Sequence, residues 1–147
     1  MPTSKKKPAS VFVRLNEAGK PVSTRAKNHA MVNDTSTHLI WSAASLKVSS
    51  WTDAESQCKA LRLGGHKDWR MPTVKELISI VDYTKRNPAI DSKAFPNTPA
   101  EWHWSSSPVV GWPEYAWFVL FTFGYVLSNH RDGSGFVRPV RVARARQ

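Results

Sequence analysis

Asp68-Trp69-Arg70-Met71-Pro72-Thr73-Val74-Lys75-Glu76-Leu77 is the stretch that decides how this chain folds. Thr73 followed three residues later by Glu76 is a capping box. The hydroxyl accepts from a first-turn backbone N–H, and the carboxylate reaches back to the cap. Pro72 fixes the entry angle just before it. Leu77, Ile80 and Val81 follow at i, i+3 and i+4, the spacing of one apolar helix face. The pattern predicts a helix ending near Tyr83, before the loop at 87–91. Trp69 is an aromatic of core type. Arg70 beside it carries a planar fork suited to tying a loop to a carboxylate, with Asp34, Asp68 and Glu76 as candidates. Arg138 and Arg141 are expected to do the same near the other end. Asp34, Trp69, Arg70, Thr73, Glu76, Arg138 and Arg141 are thus read as structural.

Upstream, residues 51–62 read as a first helix. Ala54, Cys58 and Leu61 share one face, Thr52 with Glu55 has the spacing of a capping box, and Gly64-Gly65 is a stop. Cys58 then points inward and is read as a small buried hydrophobe. Short strands are expected at 11–15, 31–34 and 39–42. Downstream the chain turns to aromatic and β-branched runs at 102–105, 116–121, 124–127 and 136–142, separated by Gly, Pro, Ser and Asn. Pro139 lacks an N–H, so the last run should lie at an edge or carry a bulge. Strands and two helices followed by a run of strands argue for an α+β fold over a parallel βαβ sheet.

The 147 residues suit one domain, expected at 11–142. Charge separates this body from the ends. Residues 1–30 hold seven Lys or Arg against one Glu, and residues 131–147 hold five Arg against one Asp. Residues 31–130 hold nine basic and nine acidic groups, so the net charge of +10 belongs to the ends. Basic, disordered tails are expected at 1–10 and 143–147. They either solubilise the protein or touch nucleic acid or another anionic surface. The single cysteine excludes an intramolecular disulfide. No apolar run approaches the roughly 20 residues of a membrane span, so no membrane partner is expected. The basic start is followed by no apolar h-region, which argues against a signal peptide and for a cytoplasmic location.

Candidate chemistry is sparse. The histidines at 29, 38, 66, 103 and 130 show no metal-ligand spacing. Ser105-Ser106-Ser107 beside His103 lacks a nucleophile elbow, and strand neighbours point to opposite faces. There is no phosphate loop and no dinucleotide fingerprint. No catalytic residue, metal or cofactor is expected.

The order of several short blocks resembles the C-terminal domain family of Legionella collagen-like protein. The blocks are Val32-Asn33-Asp34 with Leu39-Ile40-Trp41, Trp51 with Ala54, Cys58 and Leu61, and the 68–77 stretch. They continue with Asn87-Pro88-Ala89-Ile90-Asp91, Phe95-Pro96-Asn97-Thr98-Pro99 and Trp104-Ser105-Ser106-Ser107. They end with Ala116-Trp117, Val119, Phe121, Gly124 and Val126, then Val137-Arg138-Pro139-Val140-Arg141. The resemblance implies a C-type-lectin-like fold, shared distantly with formylglycine-generating enzyme. That fold would be a twisted antiparallel sheet with two flanking helices, long loops and neighbouring chain ends. It would also make a binding face of the loops in the C-terminal half. The Glu-Pro-Asn, Gln-Pro-Asp and Trp-Asn-Asp triplets of calcium-dependent lectins are missing here, as are the paired cysteines of the oxidase.

Seven tryptophans are a heavy load. Trp41, Trp51, Trp69, Trp104 and Trp117 fall in the matching blocks and are expected in the core. Trp102 and Trp112 fall in irregular stretches and are expected at the surface. The segments 110–115 and 128–134 read as polar-aromatic loops that the fold would bring to one face. Trp112, Glu114, Tyr115, Tyr125, Asn129, His130, Arg131 and Asp132 are the candidate ligand-binding residues. The expectation is a non-enzymatic module contacting a protein or glycan, virion-associated if phage-encoded. The rival expectation is a basic factor that associates with nucleic acid or with a host nucleoprotein complex.

Overall fold

A computed structural model describes residues 11–143. The expected disorder of the tails falls on residues outside this range, apart from residue 143. Nine strands and two helices follow in the order β1 (Phe12–Leu15), β2 (Met31–Asp34), β3 (Leu39–Ser42), β4 (Leu46–Val48), α1 (Trp51–Ala60), α2 (Val74–Ser79), β5 (Trp102–Val109), β6 (Trp112–Leu120), β7 (Tyr125–His130), β8 (Gly135–Val137) and β9 (Val140–Val142). A 3-10 turn, Leu63–Gly65, separates the helices. The architecture is α+β.

Two sheets replace the single sheet expected. One has the order β1-β2-β3-β9 and is antiparallel throughout. The other has the order β4-β8-β5-β6-β7, with one parallel contact between β5 and β8 at His103 and Phe136. The cause is a double crossing. β3 pairs with β9 in the first sheet, and the strands continuous with them, β4 and β8, pair in the second. Both connections step from one sheet to the other at the same place. Pro139 sits at this step and cannot donate to a ladder, but its carbonyl accepts from the Ser42 N–H at 2.9 Å. The run expected at 136–142 is therefore two short strands with a break at residues 138 and 139.

The helices also depart in detail. Helix α1 is capped by Ser50, whose hydroxyl accepts from the Asp53 N–H, and not by the Thr52–Glu55 pair. Asp53 accepts in turn from the Ser49 N–H at 2.8 Å, which holds its carboxyl below the ordinary carboxylate range. Helix α2 begins as expected, with both halves of the Thr73–Glu76 box formed. It ends at Ser79, a turn short of Tyr83. At six residues it is too short to be stable alone. It stands because Leu77 and Ile80 are buried against Val32, Trp41, Ile90, Phe95 and Phe121.

That cluster fills the space between the first sheet, α2 and β6. A second cluster, with Ala54, Cys58, Met71, Trp104, Phe118 and Val137, packs α1 on the second sheet. Burial, helped by Glu55, pushes the Cys58 thiol up to about 12, so it is an inert core group.

Most of the 68–77 stretch is tied down. Asp68 accepts from Arg141 at 2.7 and 3.3 Å, and that pairing holds its carboxyl below the usual range. The Trp69 indole donates to the Leu63 carbonyl, and Arg70 exchanges both backbone hydrogen bonds with Val140. Of the three carboxylates proposed for Arg70, Glu76 is its partner, at 2.8 and 2.9 Å. Burial would raise the Glu76 carboxyl, but Arg70 and Thr73 hold it below the ordinary value. Asp34 instead closes its own turn through Ser36.

Arg138 does not follow the expectation of a carboxylate partner. It is fully buried and donates to the Ser42 and Ala43 carbonyls, at 3.0 and 2.7 Å, and to the Thr98 hydroxyl at 2.8 Å. Its guanidinium lies 4.8 Å from the Phe95 ring centre. Burial pulls its pKa down to about 9, which leaves it charged at neutral pH. The side chain pins one sheet crossing to the other.

Candidate functional site

The two segments read as loops, 110–115 and 128–134, are each partly strand, while 110–111 and 131–134 remain loop and Tyr125 falls in the strand expected at 124–127. Trp112, Glu114 and Tyr115 lie on β6, and Tyr125, Asn129 and His130 lie on β7. Pro113 and the polar run at 128–130 conceal these strand ends in the sequence. A two-residue turn at Val110-Gly111 joins β5 to β6, with Gly111 at φ 82°. Gly readily adopts this conformation because it lacks a Cβ.

At this tip Val110 is 95% exposed and Trp112 is 63% exposed. Cross-strand pairing sets Tyr115 opposite His130. Trp112 packs edge-on against Tyr115 at 6.0 Å, and Tyr115 against His130 at 5.7 Å. His130 stands between two carboxylates, with Nδ1 3.2 Å from Asp132 and Nε2 3.6 Å from Glu114. Asn129 accepts from the His130 N–H through its own side chain. A shallow cavity of about 280 Å³ opens between Val109, Trp112, Tyr115 and Ser128. The result is an aromatic ledge edged with charge on the outer end of a paired hairpin.

Two candidate residues sit apart. Arg131 lies over the Trp51 ring at 4.1 Å, and its backbone bonds to Trp51 and Glu114. It anchors the ledge to the start of α1. Tyr125 is at the opposite end of β7, about 17 Å along the strand from His130. There it neighbours Phe123 at 5.4 Å.

The tryptophan expectations divide as well. Trp41, Trp69 and Trp104 are buried, while Trp51 and Trp117 are only partly so. Trp102 is partly buried on β5 and not an exposed loop residue. It stacks on Phe118 at 4.4 Å and meets Trp104 edge-on.

The serine and histidine run holds the fold together. Ser105 donates to the Trp117 carbonyl, Ser107 accepts from the Val74 N–H, and His103 is hydrogen-bonded to Ser45 and Glu101. Burial, then the nearby Arg138 charge, pulls His103 down to about 3, against the pull of the Glu101 carbonyl. It is therefore neutral. Among the described residues, no group of three or more His, Cys, Asp or Glu is placed to hold a metal ion. No helix there is long and apolar enough to cross a membrane.

An α+β body with tethered loops and a projecting aromatic hairpin has the layout of a binding-type domain. The sequence pattern of the Lcl C-terminal domain matches residues 30–141, well over half the chain, and the protein belongs to that family. No curated protein matches it.

Proposed function

We propose that the protein is a non-enzymatic recognition module of C-type-lectin type, in which the β5–β6 tip and the end of β7 contact a protein or glycan. The observation that supports this most directly is the exposure of Trp112 beside Tyr115 and His130 on a hydrogen-bonded hairpin. An aromatic held rigidly at a surface contributes contact area with little entropy left to lose, the property of an interface anchor. Family membership supports the same reading. Glu114 and Asp132 add acceptors at the edge, suited to hydroxyl or amide donors. Arg131 acts by positioning the ledge. The contact takes place in the cytoplasm, or on a virion if a phage encodes the protein.

The test is affinity capture from the native cell with wild type, Trp112→Ala and Tyr125→Ala side by side, followed by titration of the retained ligand. Trp112→Ala should weaken binding at least tenfold, the loss of about 1.4 kcal/mol or more typical of an anchor. Tyr125→Ala should bind within twofold of wild type. Equal binding by wild type and Trp112→Ala would exclude the ledge.

A further inference from the structure

A second surface, remote from the ledge in sequence, is built for negative charge. A groove of about 530 Å³ runs between Arg14 on β1, Arg25 and Lys27 in the loop before β2, and Lys93 and Asn97 in the loop before β5. No carboxylate lines it. Among the described residues, none of these four cations has a carboxylate within ion-pair distance, whereas Arg70 and Arg141 each do. Asp91, the nearest acid in sequence to Lys93, is engaged by the Lys93 and Ala94 N–H groups. Arg14 is half-buried and held in place by donating one N–H to the Ala26 carbonyl at 2.8 Å. Its remaining N–H groups are oriented by that anchor.

Four uncompensated cations repel one another, so a ligand carrying several negative charges is favoured over a single small anion. An adjoining cavity of about 590 Å³ shares Lys27, Pro96 and Asn97 with the groove, and Leu46, Leu61 and Leu63 make its wall apolar. The pair of compartments matches a ligand with a charged backbone and a flat, poorly hydrated side group. We propose that the groove binds the phosphodiester backbone of single-stranded nucleic acid, with the apolar cavity receiving an unstacked base. No Phe, Tyr or Trp lines either compartment, and the one ring there, His29, is buried and held by the Ala94 carbonyl at 2.6 Å, so binding is driven by phosphate contacts and is indifferent to sequence.

The full chain is titrated with a labelled 12-nucleotide DNA strand of mixed sequence across a range of salt. With four phosphate contacts the slope of log affinity against log salt should be about −3, at roughly −0.7 per contact for a single strand. The pair Arg25→Ser with Lys93→Ser should bind at least tenfold more weakly and lose about half of that slope. The pair Arg25→Lys with Lys93→Arg should bind like wild type, which separates lost charge from lost fold. Lys5→Ser, Lys6→Ser and Lys7→Ser in one chain should leave the effect of the groove pair intact. Trp112→Ala should bind DNA unchanged, so this test and that of the ledge fail independently. Any of four results would overturn the proposal: a salt-independent affinity, a groove pair within twofold of wild type, equal binding of the matching duplex, or displacement by inorganic phosphate equimolar with the strand's phosphates.

Discussion

At the scale of single residues, chemistry and position separate cleanly in this protein. Thr73, Glu76, Cys58 and Trp69 do what their neighbours in sequence imply, because each acts within a turn or on one helix face. Arg138 and His103 do not, because their partners lie far along the chain: Ser42 and Thr98 for one, Ser45 for the other. No spacing rule links such pairs. His103 also has a measurable consequence. Its folded pKa of about 3 lies below the ordinary value of 6.5. Between those values the unfolded chain takes up a proton that the folded chain refuses, so stability is full above the upper value and falls as pH drops through the window. The slope for one proton is about 1.4 kcal/mol per pH unit. Asp68 and Glu76 have lowered folded values, so their contribution is lost only at more acidic pH, from about 4.5 downward. Urea unfolding of wild type between about pH 5 and 6 should show the histidine slope. His103→Gln should flatten it, and an unchanged slope would assign the proton elsewhere.

At the scale of elements, helix starts were legible and strand ends were not. The α2 box is read directly from Thr-x-x-Glu, whereas the α1 cap fell one residue outside the helix as predicted, on Ser50. Strands β6 and β7 run longer than their apolar stretches because cross-strand pairing carries the polar and proline-containing ends along. β4 has no signature of its own in the sequence: Leu46–Val48 is three residues long and is a strand by pairing with β8. The groove cations were visible as a charge excess in residues 1–30, but Lys93 is 79 residues from Arg14 in sequence and joins them only in the fold. The short α2 gives the cap unusual weight. Thr73→Ala should destabilise the protein by about 1 kcal/mol, within the usual range for a lost N-cap. Thr73→Ser, which keeps the hydroxyl, should cost less than half of that in the same denaturation assay. Equal losses would mean that the Thr73 methyl group, and not its oxygen, holds the helix start.

At the scale of the whole molecule, the feature that matters most is the paired crossing between the sheets. The class α+β followed from element order alone, but the split into two sheets did not, since nothing local marks 43–45 as a crossing and Pro139 allows either a bulge or a break. Arg138 makes the crossings a single unit. Arg138→Met would leave the Ser42 and Ala43 carbonyls without their donor, at a cost of roughly 2–4 kcal/mol after relief of the buried charge. Because both sheets depend on it, hydrogen exchange at the backbone amides of β3 in the first sheet and β6 in the second should report the same lowered opening free energy; separate values would show that the sheets unfold independently. The same crossing has a consequence for synthesis. Strand β8 lies between β4 and β5, and β9 completes the sheet begun by β1, so residues 135–142 are needed by both halves. A nascent chain still lacking them on the ribosome can form helices and hairpins but neither finished sheet, and its aromatic core stays open to chaperones until that last stretch emerges.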